Sequence, residues 1–286
     1  MADGFYAELP ARGVIEIAGE DRVAFLQGLV SNDVAKVDAE HAIYAALLTA
    51  QGRYLFDFFI VAIGDALYLD TEAARVPDLL RRLSIYKLRS KVTLADAGPR
   101  IAVAAAWGQN SGLGLDTTGD ARPFAGGIAY RDPRLADLGW RFCLPRPIAA
   151  IDGFAHADEA AYDRHRLQFG VPDGSRDLGI EKALLLENGF DELNGIDWKK
   201  GCYMGQELTA RTKYRGLVKK RLVPVSADGP LPAPGTLVMA GSDEAGEIRS
   251  SRDGRALALL RLDTLDKTLL TGSVRITPEK PNWAKF

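Results

Sequence analysis

Apolar and polar positions alternate along the first third of the chain in the pattern typical of half-buried β-strands. Gly13–Gly19 alternates in this way, and the amphipathic stretch 20–33 that follows it predicts a short helix with a polar stop. Three further apolar runs, 42–50, 54–63 and 66–71, are separated only by short turn sequences. The N-terminal region is therefore predicted to form an antiparallel sheet with a helix beside it.

One carboxylate, Asp57, interrupts the longest of these apolar runs, with phenylalanines on both sides. A carboxylate inside an apolar strand is costly unless it is paired or hydrogen-bonded. Asp57 is therefore predicted either to satisfy a structural partner or to face a ligand pocket, and the residues alone leave both interpretations open.

A predicted helix from Pro77 to about Ser90 carries an unusual density of basic side chains. Pro77 suits its first turn, and Arg81 and Arg82 are followed by three more basic residues before position 92. A solvated helix face explains this pattern. An alternative is a surface that meets an anionic ligand tail or an acidic partner.

The sequence changes character after Gly216, where short β-like runs separated by Asp-Gly, Pro-Gly and similar turn signals replace the longer elements. These runs lie at 221–227, 236–240, 245–250, 256–262 and 273–277. Regular short strands predict a small barrel or sandwich. We therefore expect two parts, an α+β body over 1–215 and a β-barrel domain over 216–286.

Composition narrows the classes of function. The 286 residues include 36 basic and 38 acidic ones, with a pI near 6.0, so no global charge favours nucleic-acid binding. No apolar run approaches the ~20 residues that span a bilayer. Cys143 and Cys202 are the whole cysteine inventory, which excludes a disulfide framework. Together with an N-terminus that lacks a secretory pattern, these features predict a cytosolic protein.

The stretch Asp197–Arg211 contains the densest group of chemically active residues. Lys199 and Lys200 precede Cys202, which has glycines close on both sides. Nearby lysines lower the pKa of a thiol from about 8.5, and glycines suit a loop that presents a side chain. Cys202 is therefore either a reactive thiol or a small packing residue in a glycine-containing turn.

Three segments carry a resemblance to known proteins. Lys200-Gly-Cys-Tyr-Met-Gly-Gln-Glu207 resembles the signature of the YgfZ family of folate-binding iron–sulfur maturation proteins, and Phe25-Leu-Gln-Gly-Leu-Val-Ser-Asn-Asp-Val34 resembles the N-terminal pattern of that family. Gln51-Gly-Arg-Tyr-Leu-Phe-Asp57 is similar to a segment of the glycine cleavage T-protein, a tetrahydrofolate-dependent aminomethyltransferase. The T-protein lacks the cysteine signature.

The resemblance implies a fold and a set of site residues. It implies the three-domain α+β cloverleaf of the T-protein, with two α+β lobes, a C-terminal β-barrel and tetrahydrofolate or a derivative bound in the central opening. Cys202 and Lys200 are the implied catalytic residues. The implied folate-binding residues are Asp57, Glu187, Asn188 and Tyr203.

The function implied first is that of a folate-binding accessory protein in iron–sulfur cluster assembly or repair, serving a subset of cluster enzymes that includes tRNA-modifying ones. Because clusters usually take four thiolate ligands, any cluster at Cys202 would be transient and shared with a carrier or client protein. One alternative is an aminomethyltransferase that uses Asp57 to orient or protonate the amine, although Phe56 replaces one of the two adjacent acids of the T-protein. Another is a passive folate-dependent adaptor in which Cys202 only packs.

Overall fold

The computed structural model describes residues 4–109 and 112–286, and the chain divides into two compact units. The first unit comprises Met1–Leu48, Leu55–Tyr162 and Leu193–Met204. The second comprises Thr49–Tyr54, Asp163–Glu192 and Gly205–Phe286. Each unit is therefore discontinuous along the chain, and the boundary expected at 215/216 stays a prediction.

The antiparallel sheet predicted for the N-terminal region is confirmed. Within the described residues it has five strands in the order β3-β4-β5-β2-β6. Their bounds are β2 Arg12–Ala18, β3 Ile43–Leu48, β4 Tyr54–Ile63, β5 Ala66–Glu72 and β6 Thr93–Asp96. Helices α1 (Arg22–Gln27) and α2 (Val76–Lys87) accompany the sheet, and buried side chains of both helices join its apolar core. The candidate site begins where α1 ends, at Gly28.

A second sheet of the first unit has the order β11-β1-β7-β10-β9-β8 in the described part of the chain. Its strands are β1 Gly4–Glu8, β7 Ile101–Gly108, β8 Ala121–Phe124, β9 Gly127–Arg131, β10 Trp140–Pro145 and β11 Phe154–His156. The β1–β11 pair is parallel and the other pairs are antiparallel. Small alanines of β7 and large aromatics of β10 fill its core together.

A buried charge cluster joins the two sheets of the first unit. Asp70 on β5 is fully buried and accepts hydrogen bonds from Arg12 Nε and Arg141 Nη2, both at 2.6 Å. The Arg141 guanidinium also stacks 4.0 Å from the ring centre of Phe59 on β4. Burial alone would raise the pKa of Asp70, but the two guanidinium groups lower it on balance. The carboxylate is therefore ionised and links β2, β5 and β10.

The second unit contains a closed barrel, which confirms the small barrel predicted for the C-terminal region. Its strand order is β12-β15-β14-β13-β16-β17. The strands are β12 Lys220–Ala227, β13 Leu237–Ala240, β14 Asp243–Arg252, β15 Arg255–Arg261, β16 Leu269–Thr271 and β17 Val274–Pro278. Inward-pointing aliphatic side chains of these strands form a core of their own.

Ion pairs attach helices to this barrel. The second unit also holds α4 (Gly174–Asp177), α5 (Gln206–Tyr214) and most of α3 (Glu159–Gln168). Asp163 accepts hydrogen bonds from Arg166 at 2.7 Å and from Arg252 of β14 at 2.7 Å. Asp163 and Arg166 are buried, and the bonds from Arg252 to Asp163 and from Arg166 Nη2 to Ser250 Oγ, the latter at 2.9 Å, contribute to holding α3 on the barrel.

Candidate functional site

Two segments that sequence reasoning singled out meet in the first unit: Phe25–Val34 and the part of Lys200–Glu207 that ends at Met204. We call residues 25–34 the N-terminal block and residues 195–204 the signature loop. Backbone hydrogen bonds cross between them, from Asp197 N–H to Ser31 O at 3.0 Å and from Met204 N–H to Gly28 O at 3.1 Å. The N-terminal block therefore forms the platform on which the signature loop lies.

Side chains of the N-terminal block complete this attachment. The hydroxyl of Ser31 donates to Gly195 O at 2.6 Å and accepts from Ala46 N–H at 2.8 Å. The amide of Asn32 donates to Tyr44 O and to Asn194 O, both at 2.8 Å. Because Ser31 and Asn32 are buried, these bonds tie the start of the signature loop to strand β3.

Lys200 anchors the other end of the loop. Its Nζ donates to the carbonyl oxygens of Gln27 and Val30, both at 2.6 Å, and lies 5.2 Å from the ring centre of Tyr203. The last carbonyls of a helix lack internal partners and attract cations, so an ammonium group stabilises the end of α1. Burial lowers the pKa of Lys200 to about 8. In the structure the ammonium group of Lys200 is bonded to the N-terminal block. An effect of Lys200 on the pKa of Cys202 stays a prediction.

Cys202 is exposed, whereas Cys143 is fully buried on β10. Gly201 and Gly205 on either side of Cys202 have φ values of 93° and 80°, which are readily adopted by glycine and are strained for other residues. The loop thereby turns the thiol outward between two anchored ends. Burial raises the pKa of Cys143 far above its usual range, so its thiol is inert.

A cleft of about 420 Å³ opens beside the signature loop in the first unit. Trp198 supplies aromatic surface, Lys36 and Lys199 are its basic residues, and Tyr44 belongs to the lining although its side chain is buried. Lys36 pairs with Asp197 at 2.6 Å. Its remaining lining residues are Asn32, His41, Ala42, Ile43, Thr118, Pro133, Asn194 and Ile196. The volume lies in the range of small-molecule sites, and the lining mixes apolar surface with a few charged groups.

Asp57 lies one hydrogen bond away from this cleft. It is 3% exposed, and the hydroxyl of Tyr44, a lining residue, donates to its Oδ2 at 2.7 Å. Burial raises the pKa of Tyr44 well above its usual value, with a further contribution from the charge of Asp57. The buried carboxylate thus has the hydrogen-bonded partner that its position in an apolar strand requires. A direct role of Asp57 toward a ligand stays a prediction.

The remaining predicted ligand-binding residues lie apart from the cleft lining. Tyr203 is buried in the first unit, with its ring facing the Lys200 ammonium group. Glu187 and Asn188 belong to the second unit, where the Asn188 amide donates to Leu184 O at 2.8 Å. Burial raises the pKa of Glu187, against the opposing charges of Lys220 and Arg53. Asn188 therefore has a structural partner, and the binding roles of all three stay predictions.

Sequence reasoning missed the cleft residues Tyr44, Trp198, Lys36 and Asn194. Trp198 directly precedes Lys199 and Lys200, and this position of an aromatic residue beside a reactive loop could have identified it as a cleft residue. Tyr44 lies in a strand whose residues are all buried, and no alternation distinguishes its pocket side. Asn194 has a φ of 55°, which asparagine tolerates better than most residues, but no sequence pattern reveals that conformation.

Within residues 4–109 and 112–286 the structure shows neither a metal-binding cluster nor a membrane-spanning helix. In this part of the chain the structure brings together no group of three or more His, Cys, Asp or Glu side chains that could hold a metal ion. None of the helices in these ranges has the length and apolar composition needed to cross a bilayer.

Comparison with known structures and domains establishes the fold. The chain superimposes on the glycine cleavage system aminomethyltransferase T from Bartonella henselae with a TM-score of 0.80, covering 99% of this chain and 87% of that one at 14% sequence identity. The profile of the CAF17 C-terminal beta-barrel domain matches residues 219–286. The fold class predicted from sequence, α+β with a C-terminal barrel like that of the T-protein, is confirmed.

Sequence comparison identifies closer relatives. The mitochondrial iron–sulfur cluster assembly factor IBA57 of Mus musculus is 33% identical over 96% of this chain and 84% of its own length. The Homo sapiens protein of the same name is 33% identical over 88% of this chain and 76% of its own. The homolog from Mycosarcoma maydis is 39% identical over 77% of this chain, which spans only 56% of that protein.

These relatives correct one prediction. The cytosolic location expected from the sequence is wrong for this family, because the relatives are named as mitochondrial proteins. A low cysteine count indicates a reducing compartment but does not distinguish one reducing compartment from another. The resemblance to YgfZ proteins was the broader relationship, and on identity and coverage together the chain belongs to the family of the iron–sulfur cluster assembly factor IBA57.

Proposed function

We propose that the chain is an accessory factor of iron–sulfur cluster assembly that binds a reduced folate in its cleft and uses Cys202 toward a cluster shared with a carrier protein. The observation that carries the proposal is the signature loop itself. It is fixed to the N-terminal block at both ends and exposes the Cys202 thiol between them. The names of its relatives, which are iron–sulfur cluster assembly factors, support the same function.

The number of exposed cysteines limits how many ligands this chain can supply to a cluster. Iron–sulfur clusters are usually held by four cysteine thiolates, and Cys202 is the exposed one of the two cysteines. The cluster is cargo, so Cys202 supplies one ligand and the carrier supplies the others. Because both anchors of the loop are hydrogen-bonded, little conformational freedom is lost when the thiol is engaged. The clients that we propose include iron–sulfur enzymes that modify tRNA.

The cleft fits a folate in the chemistry of its lining. Trp198 is partly exposed and offers an aromatic face to a flat heteroaromatic ring. Ile43 and Ile196 are apolar members of the same lining. Lys199 provides a cation for the carboxylates of a glutamate tail, whereas the charge of Lys36 is already paired with Asp197. A folate bound there would be a one-carbon carrier, and the residues of this chain would bind and orient it.

Complementation tests the role of Cys202. In cells that lack this protein, the activity of a cluster-dependent tRNA-modifying or lipoate-forming enzyme is measured after expression of the wild type or of Cys202→Ala. We expect the wild type and the control Cys143→Ala to restore activity, and Cys202→Ala to fail at equal abundance. Full restoration by Cys202→Ala would remove the thiol from the function.

Calorimetric titration with tetrahydrofolate tests the cleft separately. Loss of one aromatic face costs about 1 kcal/mol, so we expect Trp198→Ala to weaken binding by about fivefold. Trp283→Phe, at a tryptophan of the second unit that donates to Phe169 O, serves as the control and should bind as the wild type does. Absence of saturable binding to the wild type would refute the folate part of the proposal alone.

The alternative predicted from sequence is a tetrahydrofolate-dependent aminomethyltransferase with Asp57 at its centre. The shared fold is compatible with it, but the buried Asp57 is hydrogen-bonded to Tyr44. Release of methylenetetrahydrofolate from an aminomethyl-loaded lipoyl carrier, abolished by Asp57→Asn, would establish this activity. We expect no such turnover.

A further inference from the structure

A strongly basic segment follows the signature in the chain and is not used by the proposed function. Between Glu207 and Asp228 the sequence has six basic residues and no acidic one. Those six residues lie between Arg211 and Arg221, and we call this range the basic segment. It is unusual in a chain whose basic and acidic residues otherwise nearly balance, at a net charge of −2.

The basic segment is an ordered turn. It starts in the last turn of α5 and continues through Gly216, whose φ of 60° is the left-handed conformation that commonly ends a helix. Leu217 N–H donates to Thr212 O at 3.0 Å, which closes the turn, and Thr212 is buried. The side chains of this turn are therefore presented from a fixed backbone.

Charge within the segment is only partly neutralised by the second unit. Lys213 pairs with Asp191 at 2.9 Å, and Arg221 pairs with Glu192 in a largely buried contact. Arg211, Arg215 and Lys219 are exposed. The outer face of the segment is therefore positive.

Two large side chains are exposed among these cations. Tyr214 is 76% exposed and Leu217 is 46% exposed. Tyrosine and arginine are enriched among the residues that carry most of the energy of protein interfaces, and an apolar residue near the centre of such a patch adds desolvation on binding. Arg211, Tyr214, Arg215 and Leu217 thus combine the chemistry of a protein-docking surface.

We propose that the basic segment docks an acidic face of the iron–sulfur carrier protein that shares its cluster with this chain. The inference rests on the proposed function and adds a second point of recognition to Cys202. A protein partner is favoured over nucleic acid because the patch has an exposed leucine beside its one aromatic residue, and because the chain as a whole is slightly acidic. Complementary charge steers such partners together and raises the association rate.

The test is the association rate of the full-length protein with a purified A-type iron–sulfur carrier, measured by surface plasmon resonance at about 0.05 M and about 0.3 M salt. We expect Arg211→Glu combined with Arg215→Glu to slow association about tenfold at the lower salt and much less at the higher. The control, Arg122→Glu combined with Arg275→Glu at two exposed arginines outside the basic segment, changes the net charge equally and should leave the rate near that of the wild type.

The apolar part of the proposal has its own variant. Leu217→Ser should leave the association rate unchanged and speed dissociation several-fold, because short-range contacts act mainly on the dissociation rate. All of these side chains are exposed, and circular dichroism of each variant checks that folding is retained.

The outcomes separate the two proposals. If the wild type binds the carrier and both double variants associate at the wild-type rate or slow equally, the docking surface is refuted while the proposed function stands. If the wild type does not bind the carrier at all, the shared cluster of the proposed function fails. Tighter binding of the basic segment to transfer RNA than to the carrier would also overturn the docking proposal.

Discussion

Replacing Lys200 with methionine tests whether its ammonium group holds the signature loop in place. Methionine keeps an unbranched apolar stem of similar length beside Tyr203, while both hydrogen bonds to the N-terminal block are lost. The carbonyl oxygens of Gln27 and Val30 then lose a charged donor at 2.6 Å. We expect the loop to open more often, without global unfolding of the first unit.

The size of this effect follows from the geometry. A hydrogen bond to a charged group contributes about 1.5–3 kcal/mol, and Lys200 makes two. The ammonium group is only half-buried, so solvent screening and its own desolvation offset much of that gain. A net loss of about 1–2 kcal/mol in the free energy of loop opening corresponds to an equilibrium constant for opening that is about 5- to 30-fold larger.

Hydrogen exchange of two amides reports this opening directly. The N–H groups of Asp197 and Met204 donate across to the N-terminal block, so their exchange requires separation of the two segments. Lys199→Met is the matched control. The hydrogen bond that Lys199 makes in this loop comes from its backbone N–H, which donates to Asp197 Oδ1 at 2.6 Å, and the substitution leaves that N–H in place. Unchanged exchange at Asp197 and Met204 in Lys200→Met, or equal acceleration in Lys199→Met, would refute the anchoring role.

Three further predictions concern stability and thiol access. Asp70→Asn should lower the free energy of unfolding, measured in urea, by about 3–5 kcal/mol, because two buried guanidinium groups lose their counter-ion. The control Asp78→Asn removes an exposed ion pair and should cost less than about 0.5 kcal/mol. Similar losses in the two variants would contradict the buried linkage. Burial alone would raise the pKa of Asp163, but its arginine partners lower it on balance, so its contribution is complete above the unfolded pKa of about 3.9 and is lost as the pH falls through the lower folded value. Urea midpoints between pH 7 and pH 3 should therefore fall less steeply for Asp163→Asn, and parallel curves would exclude this linkage. A thiol reagent should modify Cys202 in the folded protein and Cys143 only after unfolding, and mass spectrometry that finds both modified together would contradict their assigned environments.

Local patterns in the sequence predicted the elements well because each depends on neighbours along the chain. Alternation gave the sheet of the first unit, and turn signals gave the barrel. The partner of Asp57 required more, because Tyr44 lies on the neighbouring strand and only the pairing of β3 with β4 brings its hydroxyl to the carboxylate. The need for a partner was visible in the sequence, but the identity of the partner was not.

The role of Lys200 shows the same limit at the candidate site. Its position two residues before Cys202 suggested that it acts on the thiol, but sequence proximity does not reveal side-chain direction. In the structure its amine points to the end of α1, and that contact depends on a segment about 170 residues earlier in the chain. The resemblance located both segments, and only the fold showed that one supports the other.

The arrangement of these two segments explains how a single cysteine can be both exposed and fixed in position. Under the proposed function the chain contributes one ligand to a shared cluster and cannot enclose it, so its cysteine has to be exposed and yet defined in position. Backbone hydrogen bonds from both sides of the loop and the Lys200 ammonium group meet the second requirement without covering Cys202. Recognition of the other ligand donor is then left to surfaces outside the loop, and the basic segment offers one that can be altered while Cys202 stays in place.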